Sequence, residues 1–74
     1  MFTIRVITES DGKPAEDRRV SVGFDGWFRG FTSDKFTNER GEVHFDEENG
    51  YGTIYVDHEN VYKGEIAGRM VVYV

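Results

Sequence analysis

No cysteine occurs in the 74 residues. That absence removes the disulfide staple and the thiolate metal site together, so the bare core must supply the stability. A chain of this length forms one domain, residues 1–74, and hides only ~60% of the surface its unfolded form exposes. Each large apolar side chain therefore counts. A run of apolar residues of membrane-spanning length is missing as well, and Met1-Phe2-Thr3-Ile4-Arg5-Val6 alternates where a signal peptide would show a basic leader and an apolar stretch. The expectation is no membrane partner and a cytoplasmic location, if Met1 is the natural start. A domain cut from a secreted protein would read the same.

Positive charge is scarce: nine Lys and Arg stand against 14 Asp and Glu, for a net charge of −5. Residues 1–37 carry six basic and six acidic side chains, whereas 38–74 carry three and eight, so the second half holds the whole excess. Such a surface repels phosphate backbones, and electrostatics supplies most non-specific nucleic-acid affinity. No nucleic-acid partner is expected. Helical periodicity is also wanting, since no window holds apolar residues at i, i+3, i+4 and i+7 for even ten residues.

What the chain does have is aromatic and β-branched residues, six Phe, four Tyr and one Trp among them. These pack well on a pleated surface and favour strands. The most informative stretch is Thr37-Asn38-Glu39-Arg40-Gly41-Glu42-Val43-His44-Phe45, a polar turn closed by glycine before an alternating run. Gly12-Lys13-Pro14-Ala15, leading into Val20-Ser21-Val22, follows the same logic. Strands are predicted over Phe2–Thr8, Arg18–Phe24, somewhere in Trp27–Asn38, and over Glu42–Phe45, Gly52–Val56, Val61–Ile66 and Met70–Val74. Asp25-Gly26 reads as a two-residue hairpin. In the third segment the aromatics fall at 27, 28, 31 and 36, fitting neither strand nor helix, so a bulge or break is expected near Thr32–Asp34.

Turn signals at this short and regular spacing predict an all-β fold, a single Greek-key antiparallel β-sandwich of about seven strands. Its expected core is Ile4, Val6, Val20, Val22, Phe24, Val43, Phe45, Ile54, Val56, Ile66 and Val72.

Gly12-Lys13-Pro14-Ala15, Val20-Ser21-Val22 and the Thr37–Phe45 stretch, in order with Gly50-Tyr51-Gly52-Thr53-Ile54-Tyr55-Val56, resemble the prealbumin-like domains: carboxypeptidase regulatory-like, Cna-B-type and transthyretin-like sandwiches. The likeness spans roughly residues 3–66 and rests on turn and core signals, which speak for fold and hardly for function. The resemblance implies two chemistries that can be checked against this chain. Cna-B domains often carry a Lys–Asn isopeptide bond between first and last strands; here the first strand offers Arg5, and Met70–Val74 has no Asn. Transthyretin-related hydrolases use His and Arg with a C-terminal Tyr-Arg-Gly-Ser, whereas this chain ends Val72-Tyr73-Val74. Asp17 stands where the family tends to place Gly.

No catalytic residue and no cofactor are predicted. There is no Gly-x-Ser-x-Gly nucleophile, and the paired carboxylates lie in solvated turns. His44 and His58 read as solvated, with no spacing that would hold a metal. Asp46-Glu47-Glu48-Asn49-Gly50 lacks the alternate ligands of a calcium loop. One segment could bind: Trp27-Phe28-Arg29-Gly30-Phe31. Adjacent strand residues point to opposite faces, so its aromatics cannot all enter one core, and Trp27, Phe28, Arg29 and Phe31 are the candidate binding residues. The competing reading is a bulged strand whose aromatics fill the core and a shallow flank. Met70–Val74 is apolar on both faces; it should pair with Phe2–Thr8, or else join a second copy edge to edge.

The function expected from these features is a non-catalytic binding or accessory module that takes a protein partner, or self-associates as a homodimer. A carbohydrate-binding domain with Trp27 as its stacking platform is the alternative, and a small transthyretin-like hydrolase a third.

Overall fold

The computed structural model describes residues 1–26 and 30–74. Their strands are β1 (Phe2–Thr8), β2 (Lys13–Pro14), β3 (Arg19–Phe24), β4 (Gly30–Phe31), β5 (Lys35–Phe36), β6 (Glu42–Phe45), β7 (Gly50–Val56), β8 (Glu59–Ile66) and β9 (Gly68–Tyr73), with no helix among the described residues. They form two sheets. In the first, β1 is central, with β9 along one side and both β6 and β2 along the other. In the second, β3 is flanked by β7 on one side and by β4 and β5 on the other, and β8 pairs with β7.

Period-two alternation decides which side chains enter the space between the sheets. Every residue of the expected core is buried there, joined by Phe2 and Ala15. Phe2 ties the two sheets together at one end: its ring stacks on Phe45 at 5.3 Å between centroids and meets Phe24 edge-on at 5.9 Å. Burying each of the large side chains contributes about 1.5–3 kcal/mol. On the flank where both sheets end in short strands, Lys35 lays its Nζ 5.3 Å from the centre of the Phe45 ring and donates to the His44 carbonyl at 2.7 Å. Its aliphatic stem lets a cation sit at the rim of the core.

The two turn motifs interlock. Val6 donates its N–H to the Gly41 carbonyl at 2.7 Å and accepts from the Ala15 N–H at 2.9 Å, filling the gap between β6 and β2. Thr37, buried, donates from Oγ1 to the Ala15 carbonyl at 2.6 Å and accepts there from the Arg18 N–H at 2.9 Å. Gly41 has φ +75°, and a Cβ on it would lie 2.5 Å from the Val6 carbonyl oxygen. Only glycine meets both conditions.

Three expectations need correction, and one holds. The sandwich is not wholly antiparallel, because β9 runs parallel to β1. Ala67 alone separates β8 in the second sheet from β9 in the first, and the chain enters beside Phe2, where β1 begins, so both run the same way. Asp25-Gly26 does not close a two-residue hairpin, since Phe24 pairs with Gly30 across a longer loop. The break expected near Thr32–Asp34 is present, and it separates β4 from β5. Thr32 spans the break by exchanging with Val22: its N–H donates at 2.9 Å and its Oγ1 accepts at 3.0 Å. Finally, the turn after β7 is only Asp57-His58, and Glu59 and Asn60 already belong to β8, where the register shifts opposite Ile54 and Tyr55.

Asp17 has φ +60°, which explains why a glycine would suit that position. Asp is among the few residues that visit the left-handed region readily.

Candidate binding face

The residues that alternate out of the core on β3 and β7 are Arg19, Ser21 and Gly23, and Tyr51, Thr53 and Tyr55. Together they pave the outer face of the second sheet. Gly23 leaves a gap in that paving, and Phe31 occupies it. A Cβ on Gly23 would lie 2.7 Å from the Phe31 ring, and the ring packs against Tyr55 with centroids 5.8 Å apart. Cross-strand pairing of Gly23 with Phe31 brings them together. Phe31 nonetheless remains 71% exposed, and Phe36 and Tyr51 are exposed as well. Phe31, Phe36 and Tyr51 are the large apolar side chains with which this face meets solvent.

Beside Phe31 and Tyr55 lies a groove of about 380 Å³, lined also by Ser21, Thr32, Asp34 and His58. Arg19 organises this side of it. Its Nε lies 3.8 Å from Asp34 Oδ2, its guanidinium donates to His58 Nε2 at 2.8 Å, and its Cζ sits 5.5 Å from the centre of the Phe36 ring. An imidazole nitrogen that accepts from arginine must carry no proton there.

The His58 end is held in an unusual turn. Asp57 and His58 have φ +51° and +70°, the backbone of a two-residue reversal that normally takes Asn-Gly. Asp57 is anchored by the Arg18 guanidinium and by the Arg19 N–H, the latter at 3.2 Å. The hydrogen bond from Arg18 holds the Asp57 carboxyl below the ordinary carboxylate range, against an opposing effect of desolvation.

A second hollow, of about 570 Å³, lies over the Thr37–Phe45 turn and is lined by Glu16, Asn38, Glu39, Arg40, Glu42 and His44. Its polar groups largely serve the turn itself. Asn38 Oδ1 accepts from the Arg40 and Glu42 N–H groups, and the Glu42 carboxylate takes Arg69 at 2.8 Å. His44 pairs through Nδ1 with Thr3 Oγ1 at 2.7 Å. His44 and His58 thus line separate hollows on different sheets. Among the described residues no cluster of His, Cys, Asp and Glu could hold a metal ion.

Of the four residues singled out from sequence, Phe31 lies on the exposed aromatic face. Trp27, Phe28 and Arg29 fall outside the described residues. The sequence reading passed over Arg19, Ser21, Asp34, Phe36, Tyr51 and His58 as parts of this face. Alternation along Gly50–Val56 carried a signal for Tyr51 and Tyr55, since both share the outward parity of Thr53. Nothing in the sequence showed that Gly23 leaves room for the Phe31 ring.

Comparison with known proteins finds no matching family model, no similar curated protein and no similar solved structure.

Proposed function

We propose that this chain is a non-catalytic binding module that engages a protein partner through the aromatic outer face of its second sheet. The exposure of Phe31 above Gly23 carries this reading. A ring held over a glycine and against Tyr55, with Phe36 and Tyr51 exposed on the same face, gives that face apolar surface beside Arg19 and Asp34. Aromatic rings and arginine dominate binding hot spots, and clustered exposed rings mark interaction surfaces. Trp27, Phe28 and Arg29 remain candidate binding residues on the sequence argument. We further take the sandwich to be of the prealbumin-like, Greek-key kind. The interlocking of Gly12–Ala15 with Thr37–Gly41 supports that kinship, since these are two of the motifs on which the resemblance rests.

One observation favours a second reading, carbohydrate binding. The Phe31 and Tyr55 rings share their groove with Ser21, Asp34 and His58, a combination of apolar faces and hydrogen-bonding groups that suits a sugar ring.

Replacing Phe31 with Ala separates surface from core. Because the side chain is mostly exposed, the loss of stability should stay within about 1 kcal/mol, measured by thermal unfolding. Binding should fall at least about tenfold, the loss expected of a hot-spot residue. For a protein ligand the readout is retention of partners on immobilised wild-type chain and their loss on Phe31→Ala. For a sugar it is a change in Trp27 fluorescence on titration with an oligosaccharide series. Equal partner retention and equal sugar response by wild type and variant would refute both readings.

A further inference from the structure

The sheet edges of this molecule are not treated alike. The outer edge of β8 carries Glu59, Lys63 and Glu65 and the register shift near Asn60. β2 is two residues long and contains Pro14, and β4 and β5 are two residues each. Short strands, proline, bulges and charge are the usual ways of preventing one edge from pairing with another chain. The outer edge of β9 has only a single charge. Gly68–Tyr73 is unbulged, contains no proline and bears a single charge, on Arg69, and among the described residues β9 pairs with β1 alone.

The hydrogen-bond phase of this edge follows from the ladder on its other side. Val74 donates to the Ile7 carbonyl at 2.9 Å and accepts from the Glu9 N–H at 2.8 Å. In a parallel ladder such residues recur in steps of two, so Val72 and Met70 also direct both backbone groups toward β1. Arg69, Val71 and Tyr73 then direct theirs away from it, to the open edge. Their side chains lie on the outer face of the first sheet, with Val71 51% and Tyr73 57% exposed.

About Val71 this edge is self-complementary, because Met70, Val71 and Val72 meet apolar residues and no charge meets a like charge. We propose that β9 pairs antiparallel with β9 of a second copy of the chain, on a two-fold axis through Val71, so that the two first sheets become one. In that register Val71 faces Val71 of the second copy, and Arg69 faces Tyr73, in each direction. The outward-directed residues all meet as hydrogen-bonded pairs, so each exchanges both of its backbone bonds. Valine meets valine across the axis, and the Tyr73 ring comes beside Arg69, whose guanidinium is held by Glu42. On the inner face Met70 comes opposite Val72 and extends the core. A chain of different sequence would lack this self-complementarity, which is why a second copy is the occupant. The pairing does not rest on the Phe31 face, which lies on the other sheet and stays open in both copies.

Sedimentation velocity with residue-resolved amide exchange, from micromolar to near-millimolar chain, tests the pairing. The expected result is a dimer at high concentration in which the amides of Arg69, Val71 and Tyr73 are slowed, and a monomer on dilution in which those three exchange freely while Met70 and Val72 stay protected. Val71→Lys sets two ammonium groups opposite one another and should weaken the dimer at least about tenfold. Should dichroism show that this variant is unfolded, Tyr73→Lys makes the same test by placing a second cation opposite Arg69. A monomer at every concentration overturns the proposal and leaves the edge to a strand from another protein. A dimer in which those three amides exchange freely, or one that withstands the substitutions, overturns it equally.

Discussion

Gly41 and Gly23 stand in the same relation to their surroundings by distance and in opposite relations by consequence. A Cβ on either would come within 3 Å of a neighbour. At Gly41 that neighbour is the Val6 backbone carbonyl, inside the hydrogen-bonded knot that joins β1, β2 and β6. At Gly23 it is the ring of Phe31, a side chain with solvent on its other side. The first glycine lets two backbones meet. The second holds a surface ring in place. Close packing of one kind builds the sandwich, and close packing of the other holds a ring at the surface.

Substitution at Gly41 should break this contrast most severely. Gly41→Ala forces a left-handed alanine and drives its methyl into backbone that cannot move without breaking the Val6 and Ala15 bonds. A loss of at least about 3 kcal/mol is expected. Since small domains have only about 5–15 kcal/mol to lose, the denaturant midpoint should drop sharply. Thr37→Val removes one hydroxyl from the same knot, leaving the Ala15 carbonyl and the Arg18 N–H without their partner. Burial makes that omission cost about 1–3 kcal/mol, readable in the same unfolding curves.

The Asp57 turn, beside the groove, should respond to acid. Its folded carboxyl ionises below the ordinary value, so its contribution is complete above about pH 4 and fades as pH falls through the depressed value. Asp57→Asn keeps an oxygen for the Arg19 N–H and tolerates the left-handed backbone, yet carries no charge for Arg18. Thermal melts should show wild type more stable than this variant at neutral pH, with the gap closing below about pH 4. The side chain is half exposed, so the gap should be small. A gap that widens in acid would reverse the assigned sign.

Gly23→Ala sharpens the contrast by changing least in the fold. The Phe31 ring can swing outward to admit the methyl, so stability should hold within about 0.5 kcal/mol. Partner retention or oligosaccharide response should fall as it does for Phe31→Ala, because the ring is displaced though still present. A large fall in melting temperature would show that the ring belongs to the core and not to a binding face.

Much of the fold was legible because alternation is a local property. β1 and β6 have the bounds that their sequences predict, and every expected core residue is buried. Phe2 shares the parity of Ile4 and Val6, but a strand's first residue gives no sign of what covers it; here Phe24 and Phe45 do. Less of the site was legible. Of the candidate segment, Phe31 stands exposed on the second sheet, and its companion Tyr55 comes from a strand far along the chain. Arg19 reads locally as an ordinary outward-facing strand residue, and its ties to Asp34, Phe36 and His58 arise only when three segments converge.

Local order along the chain was enough to determine an all-β fold, the placement of several of its turns and the identity of most of its dry side chains. Each depends on neighbours within a few residues, which a linear pattern records. The direction of β9 against β1, the knot at Gly41 and the seat of Phe31 over Gly23 were decided by tertiary structure. The first two arise between segments distant in the chain, and the third depends on how two paired strands align, which no linear pattern records.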